Sequence, residues 1–248
     1  FFLINILLLE YNIVVMKNLK TLIFTATYNE AKNILKFINK VEKLNLNVDL
    51  LIIDDNSPDQ TSKIITNYSK NKNYIKLIVR KNKQGLDTAH KLAYKFALKN
   101  NYQNLITMDA DLSHNPKEIP KILEQLKNYK FVIGSRYIKG GRCQMSSYRL
   151  WLSVYGNKLI KNLLNINCNE FTTSYRGFSL KKLKNFNLNI VSSKGYSFFM
   201  ETIYRIHKKK ILIKEIPITF IDRKKGKSKI PKIEIFRMFV NLFKIKLF

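Results

Sequence analysis

Short apolar runs alternate with longer stretches of helical spacing along the first half of this chain. "KTLIFTAT" (20–27) is compact, β-rich and apolar, the pattern of a buried strand. After "YNE", Ile34, Leu35, Ile38, Val41 and Leu44 recur at helical spacing, with Asn29 as the expected cap. "VDLLIID" (48–54) predicts a second strand, followed by a turn in "DNSPDQT" and a helix over 61–70. "YIKLIVR" (74–80) predicts a third, with a helix over 88–99 behind it. "NLITMD" (104–109) and "KFVIGS" (130–135) predict the fourth and fifth, separated by a helix that "NPKEIP" opens. The second half is less regular. It predicts helices over 148–164 and 197–209, then a strand over 210–223 that Pro217 marks as an edge or a bulge.

Strand and helix in repetition make an α/β, mostly parallel sheet with helices on both faces. Ligands of such sheets lie beyond the carboxyl ends of the strands. At those ends stand Tyr28 and Glu30, Asp54 and Asp55, Gly85, then Asp109 and Asp111. An Asp-x-Asp leaving a strand suits a hard divalent cation, Mg²⁺ or Mn²⁺, that also takes phosphate oxygens. Other readings of the pair stay open at this point. It could cap a helix ahead of Pro116, hold the nucleophile of a haloacid-dehalogenase type phosphatase, or belong to a receiver domain. The phosphatase motif usually closes the first strand, however, and a receiver domain would be shorter and would not need the basic second half.

Charge narrows the choice of partner. The 248 residues carry 45 Lys+Arg against 17 Asp+Glu, a formal +28. That excess favours anionic partners, whether nucleotides, phospholipid surfaces or nucleic acid, although much of it can be solvated surface. A nucleic-acid binder gives no reason for acids gathered at strand ends. Cys143 and Cys168 show neither ligand spacing nor a disulfide framework, which predicts a reduced, intracellular setting. His90, His114 and His207 are scattered, against a His-built zinc site. No run of about 20 apolar residues predicts a membrane span. We expect 1–16 to be a non-native or weakly structured extension ahead of a start at Met16, 17–232 to form the catalytic domain, and 233–248 an amphipathic helix at a membrane surface.

The order of motifs is more specific than any one of them. "TYNE", "LLIIDDNSPDQT", "GLDTA", "MDADLSHNP", "GSRYIKGG", "SYRLWLS", "FTTSYRGF", "KGYSFFMET" and "EIPITFIDRKKGKSK" follow one another over about residues 19–232. In this the chain resembles the dolichol/polyprenol-phosphate mannosyltransferases, inverting family 2 transferases of the GT-A fold. The resemblance implies transfer of a hexosyl group from a nucleotide sugar, GDP-mannose first and UDP-glucose second, to a polyprenyl monophosphate. It places the protein peripherally on the cytoplasmic face of a membrane.

Residue by residue, the resemblance implies that Tyr28, Glu30 and Asp55, backed by Ile53, meet the nucleoside. Asp109 and Asp111 would hold the metal on the diphosphate, with the Ala110 backbone packed close. Arg136, Arg149 and Ser153 fall at positions near the transferred sugar and the lipid phosphate. Arg223 and Lys229 fall in a basic loop that closes over the nucleotide. There are departures: Ala26 for Pro, Asp87 for Gly, Ser113 for a Gln ligand, Met145 for Trp, Glu170 for Asp, Thr173 for Gly or Ser, and Phe199 for Gln. They bear on sugar and acceptor preference more than on fold.

Overall fold

The computed structural model describes residues 20–222 and 232–247. Met16 and the rest of 1–19 lie outside the described residues, as do Arg223 and Lys229. Strands β1 (Thr21–Thr27), β2 (Val48–Asp54), β3 (Ile75–Val79), β4 (Asn104–Thr107) and β5 (Phe131–Ser135) alternate with helices. Those helices are α1 (Ile34–Glu42), α2 (Thr61–Ser69), α3 (Leu86–Lys99) and α4 (Ile119–Leu126). Then follow β6 (Arg142–Gln144), α5 (Ser147–Leu164), β7 (Arg176–Ser179), α6 (Ser197–Lys208), β8 (Ile213–Pro217), β9 (Thr219–Ile221) and α7 (Lys232–Leu247).

Alternation along the strands sorts the core into two layers. Leu22, Phe24, Leu51, Ile53, Leu105, Phe131 and Ile133 join one cluster with Ala89, Ala93 and Ala97 of α3 and Phe198, Met200 and Ile203 of α6. Ile23, Leu50, Ile52, Ile106 and Val132 point the other way, onto Ile34, Phe37, Ile38 and Val41 of α1 and Ile119, Ile122 and Leu126 of α4. The i, i+3, i+4, i+7 spacing in α1 is the helical half of that contact. Each such side chain contributes about 1.5–3 kcal/mol on burial.

The seven-stranded sheet runs β3-β2-β1-β4-β7-β5-β8. It is parallel except for β7, which is antiparallel to both β4 and β5. This strand has no signature in the sequence: "RGFS" is four residues long and shows no apolar alternation. Gly177 lets α4 lie on it, since a Cβ there would stand 2.5 Å from Ile122 Cγ2. Arg176 is buried and donates to the carbonyls of Phe171, Thr173 and Phe199 at 3.1, 2.8 and 2.9 Å. Because β7 runs backwards, its entry segment 170–175 sits at the carboxyl ends of β4 and β5. That places a loop where ligands bind.

The structure differs from the sequence reading at two element ends. Asn29 does not cap α1; it sits at φ 59° and its N–H donates to Ser57 Oγ at 3.0 Å, tying the exit of β1 to that of β2. Asn33 precedes the helix instead, without a side-chain cap bond. The expected strand over 210–223 breaks after Pro217. Ile218 turns into the core and donates to the Ser135 carbonyl at 3.1 Å, while β9 leaves the main sheet to pair with β6. The last helix, α7, packs against α5 and α6, with Leu242 and Ile245 buried in the same cluster as α6.

Candidate active site

The chain leaves β4 with two carboxylates, each turned by a serine. Ser174 Oγ donates to Asp109 Oδ1 at 2.6 Å, from the entry segment of β7. Ser113 Oγ and N–H both donate to Asp111 Oδ1, at 2.6 and 3.0 Å. Ala110 between them is buried, and Asp109 keeps 40% of its side chain exposed. Helix capping does not account for the pair, because Asn115 caps the turn at Pro116 by accepting from Lys117 N–H at 3.1 Å.

His114 lies buried beneath this turn. Its Nδ1 accepts from Asp109 N–H at 3.2 Å, which puts the ring proton on Nε2, 3.1 Å from Thr173 Oγ1. Burial pushes its pKa down. Asp109 and Asp111 push it up and Arg136 pushes it down again, with a net result below the ordinary value. The imidazole is therefore a neutral strut whose ring nitrogens are both engaged. Ser174→Ala removes the bond that aims Asp109; we expect divalent-ion affinity, read by calorimetry, to fall about tenfold with little change in Tm.

The same entry segment carries Glu170, fully buried, which Arg136 grips in bidentate fashion. Arg136 Nε and Nη2 lie 2.7 and 2.8 Å from the two carboxylate oxygens. Thr172 N–H and Oγ1 and Thr173 N–H also donate to Glu170 Oε1. Burial alone would raise the pKa of Glu170; the Arg136 guanidinium and the Thr172 donors outweigh it and hold it below the ordinary carboxylate range. The Arg136 guanidinium lies 4.9 Å from the centroid of the Tyr137 ring and 5.2 Å from that of Phe220. Tyr137 Oη meets Ser153 Oγ of α5 at 2.6 Å. Arg149, one turn earlier on α5, pairs with Asp222 at 2.6 Å.

On the other side of β4 the exits of β1, β2 and β3 are stitched together. Asp55 is buried against Arg80 and accepts from the N–H groups of Gln84 and Gly85, each at 3.3 Å. Asp54 is wholly buried, taking Thr27 Oγ1 and Ser57 Oγ at 2.7 and 2.6 Å, so it locks the turn. Tyr28 is half-buried with Lys83 Nζ 4.2 Å above its ring. Glu30 is buried, with its N–H on Thr61 Oγ1 at 3.0 Å and a carboxylate oxygen on Asn33 Nδ2 at 2.8 Å. Ile53 lies in the core beneath them.

Thus Tyr28, Glu30, Asp55, Asp109, Ala110 and Asp111 line adjoining strand exits, while Arg136 and Ser153 meet through Tyr137. Ser113, which the sequence reading placed where a Gln ligand would stand, is buried and donates to Asp111. His114 and Ser174 were not legible as site residues, and Glu170 and Thr173 entered only as departures from the family's motif. The only hint was polar density in "EFTTS", whose position depends on the unforeseen β7.

Comparison with known proteins gives this geometry a family. Residues 22–186 match the model of "Glycosyl transferase family 2". An undecaprenyl-phosphate mannosyltransferase of Micrococcus luteus is 30% identical over 212 residues, 85% of this chain and 87% of that protein. A polyprenol monophosphomannose synthase of Mycolicibacterium smegmatis is 32% identical over 213 residues, 85% of this chain and 80% of that one. Among solved structures, a Pyrobaculum calidifontis mannosyltransferase in complex with GDP-Man and Mn²⁺ superimposes at TM-score 0.55 with 14% identity, over 84% of this chain and 58% of that one. The mixed α/β sheet with its ligand edge at the strand exits is the GT-A fold. A family match across most of the chain, on a fold that gathers acids at the strand exits, leads to one assignment: the chain belongs to glycosyl transferase family 2 and is a glycosyltransferase.

Proposed function

We propose that this enzyme moves a mannosyl group from GDP-mannose to a polyprenyl monophosphate, with inversion and with a divalent cation, at a membrane surface. The observation that carries the reading is the serine-aimed pair Asp109 and Asp111 at the exit of β4. The names of the Micrococcus and Mycolicibacterium relatives support the lipid acceptor and the mannosyl donor.

The donor set fits Mg²⁺ or Mn²⁺. Two hard carboxylates stand at a half-open turn, and the one nearby imidazole has both nitrogens engaged. Among the described residues no group of three His, Cys, Asp or Glu could hold an ion alone. Such a site suits a hard cation that takes its other ligands from diphosphate oxygens and water. When bound, the cation would neutralise charge on the departing diphosphate.

Around it, Tyr28, Glu30 and Asp55, with Ile53 beneath, would shape the nucleoside side. Arg149 and Ser153 of α5 would meet the acceptor phosphate. Arg136, whose fork Glu170 fills, would steady Tyr137 and through it Ser153. Arg223 and Lys229 lie outside the described residues and would add positive charge near the leaving group. The acceptor's phosphate oxygen attacks the anomeric carbon in line. A new C–O bond forms as the bond to the nucleoside diphosphate breaks, and the electron pair leaves on the diphosphate oxygen. The attacking oxygen is already anionic at neutral pH, so the site can work without a general base.

A donor panel (GDP-mannose, UDP-glucose, UDP-N-acetylglucosamine) with polyprenyl phosphate and Mn²⁺ tests this. We expect label in the organic phase from GDP-mannose, lost on chelation. Label confined to the aqueous phase with every donor refutes the lipid acceptor.

A further inference from the structure

The loop between β3 and α3, residues 81–85, is pinned along its backbone and open at its side chains. Arg80, 7% exposed, donates from Nη2 to the Gly85 carbonyl at 2.9 Å and from Nη1 to Thr88 Oγ1 at 2.5 Å. Asn56, held at φ 54°, donates from Nδ2 to the Lys81 carbonyl at 3.2 Å. The N–H groups of Gln84 and Gly85 reach Asp55, and Gly85 itself stands at φ 94°. Lys81, Asn82, Lys83 and Gln84 are exposed all the same. Ordering a short polar loop costs conformational entropy, so a loop tied at this many points is a mount for what its side chains do. Lys83 folds back over the strand exits, its Nζ 4.2 Å from the Tyr28 ring centroid.

The pinning uses up Asp55. An ionised carboxylate accepts at about four lone-pair sites. Arg80 Nε and Nη2 take those of Oδ1, and the two loop N–H groups, each at 3.3 Å, take those of Oδ2. Buried and filled in this way, Asp55 holds the loop and has no acceptor to spare for a base. What the loop offers instead is a donor. The Lys83 ammonium has three N–H bonds and no acceptor, on a stem flexible enough to move from the face of the ring to its edge. A base stacked on Tyr28 would meet it there. Guanine, hypoxanthine and uracil carry an exocyclic carbonyl oxygen, adenine and cytosine an amino group. An ammonium attracts the first and repels the second. Gln84, also exposed, offers donor and acceptor alike and makes no such distinction.

We propose that Lys83 selects the nucleobase of the donor by donating to its exocyclic carbonyl, and that Asp55 is the positioning residue that mounts the loop carrying it. Keto bases are taken and amino bases turned away. The inference deepens the proposed function and rests on its nucleotide-sugar donor, whichever keto base that donor carries.

Calorimetry on the full chain with Mn²⁺ and GDP, IDP, ADP, UDP or CDP tests this. We expect GDP and IDP to bind at least about tenfold tighter than ADP, and UDP tighter than CDP by a similar factor. Lys83→Met, which keeps the stem at an exposed position, should keep its Tm and bring both ratios to within about twofold. Lys83→Arg should restore them. Asp55→Asn should lose the same ratios, and Lys83→Met/Asp55→Asn should lose nothing more, since the one acts through the other. Ratios unchanged in Lys83→Met would overturn the proposal. Equal weakening of all five nucleotides would do so too, because the ammonium would then serve the phosphates. Additive losses in the double variant would give Asp55 a base contact of its own and overturn its positioning role. UDP binding tighter than GDP refutes GDP-mannose as the donor and leaves the keto preference standing.

Discussion

Asp111→Ala is expected to abolish cation-dependent transfer, lowering kcat about 10³-fold, with Tm close to wild type. The carboxylate is half-exposed, so its removal leaves no cavity in the core. Ser113 loses the acceptor of its N–H and Oγ bonds, at a cost of about 1 kcal/mol. Asp111→Asn keeps an oxygen for Ser113 but not the charge, and should be almost as inactive. Calorimetry should show weakened divalent binding in both. Wild-type turnover in Asp111→Ala under saturating donor would remove the pair from the chemistry.

The second large effect is on stability. Glu170→Ala should cost about 3–5 kcal/mol, because it leaves the Arg136 guanidinium buried without its carboxylate. For a chain of this size that lowers Tm by about 10 °C. A Glu170→Ala/Arg136→Met double variant should regain much of the loss, since two apolar groups avoid the unpaired charge. Glu170 is held below its ordinary pKa near 4.5. Its contribution is therefore complete above the unfolded-state value and disappears as pH falls through the lower folded-state one. Acid unfolding of the wild type should show this slope, and Glu170→Ala should flatten it. Equal stability of wild type and single variant at pH 7 would contradict the pairing.

The two effects belong to one loop, and that loop explains why part of the site could not be read from sequence. Elements whose burial follows a period were legible: α1 from Ile34, Phe37, Ile38 and Val41, and β2 from a continuous apolar run. The carboxylates at the exits of β2 and β4 were legible too, because polar residues after an apolar run stand out. β7 was not. All four of its residues are buried, but they are an arginine that donates to carbonyls, a glycine chosen for lack of volume, a phenylalanine and a serine, and they follow no hydrophobic period. With β7 unseen, nothing could place Ser174 against Asp109 or Glu170 against Arg136. Asn29 failed as a cap for a related reason: its amide serves a contact across strands rather than along the helix.

Synthesis from the amino terminus meets the reversed strand as an ordering problem. β1 to β4 can assemble with α1 to α3 as soon as they emerge, each strand finding an earlier neighbour. β5 cannot, for both of its sheet partners, β7 and β8, are made after it. Until about residue 179 leaves the ribosome, one edge of β4 stays unpaired and the apolar "FVIGS" has no ladder to join. A nascent chain stalled before that point would present an open edge, the kind that recruits chaperones or another stalled copy.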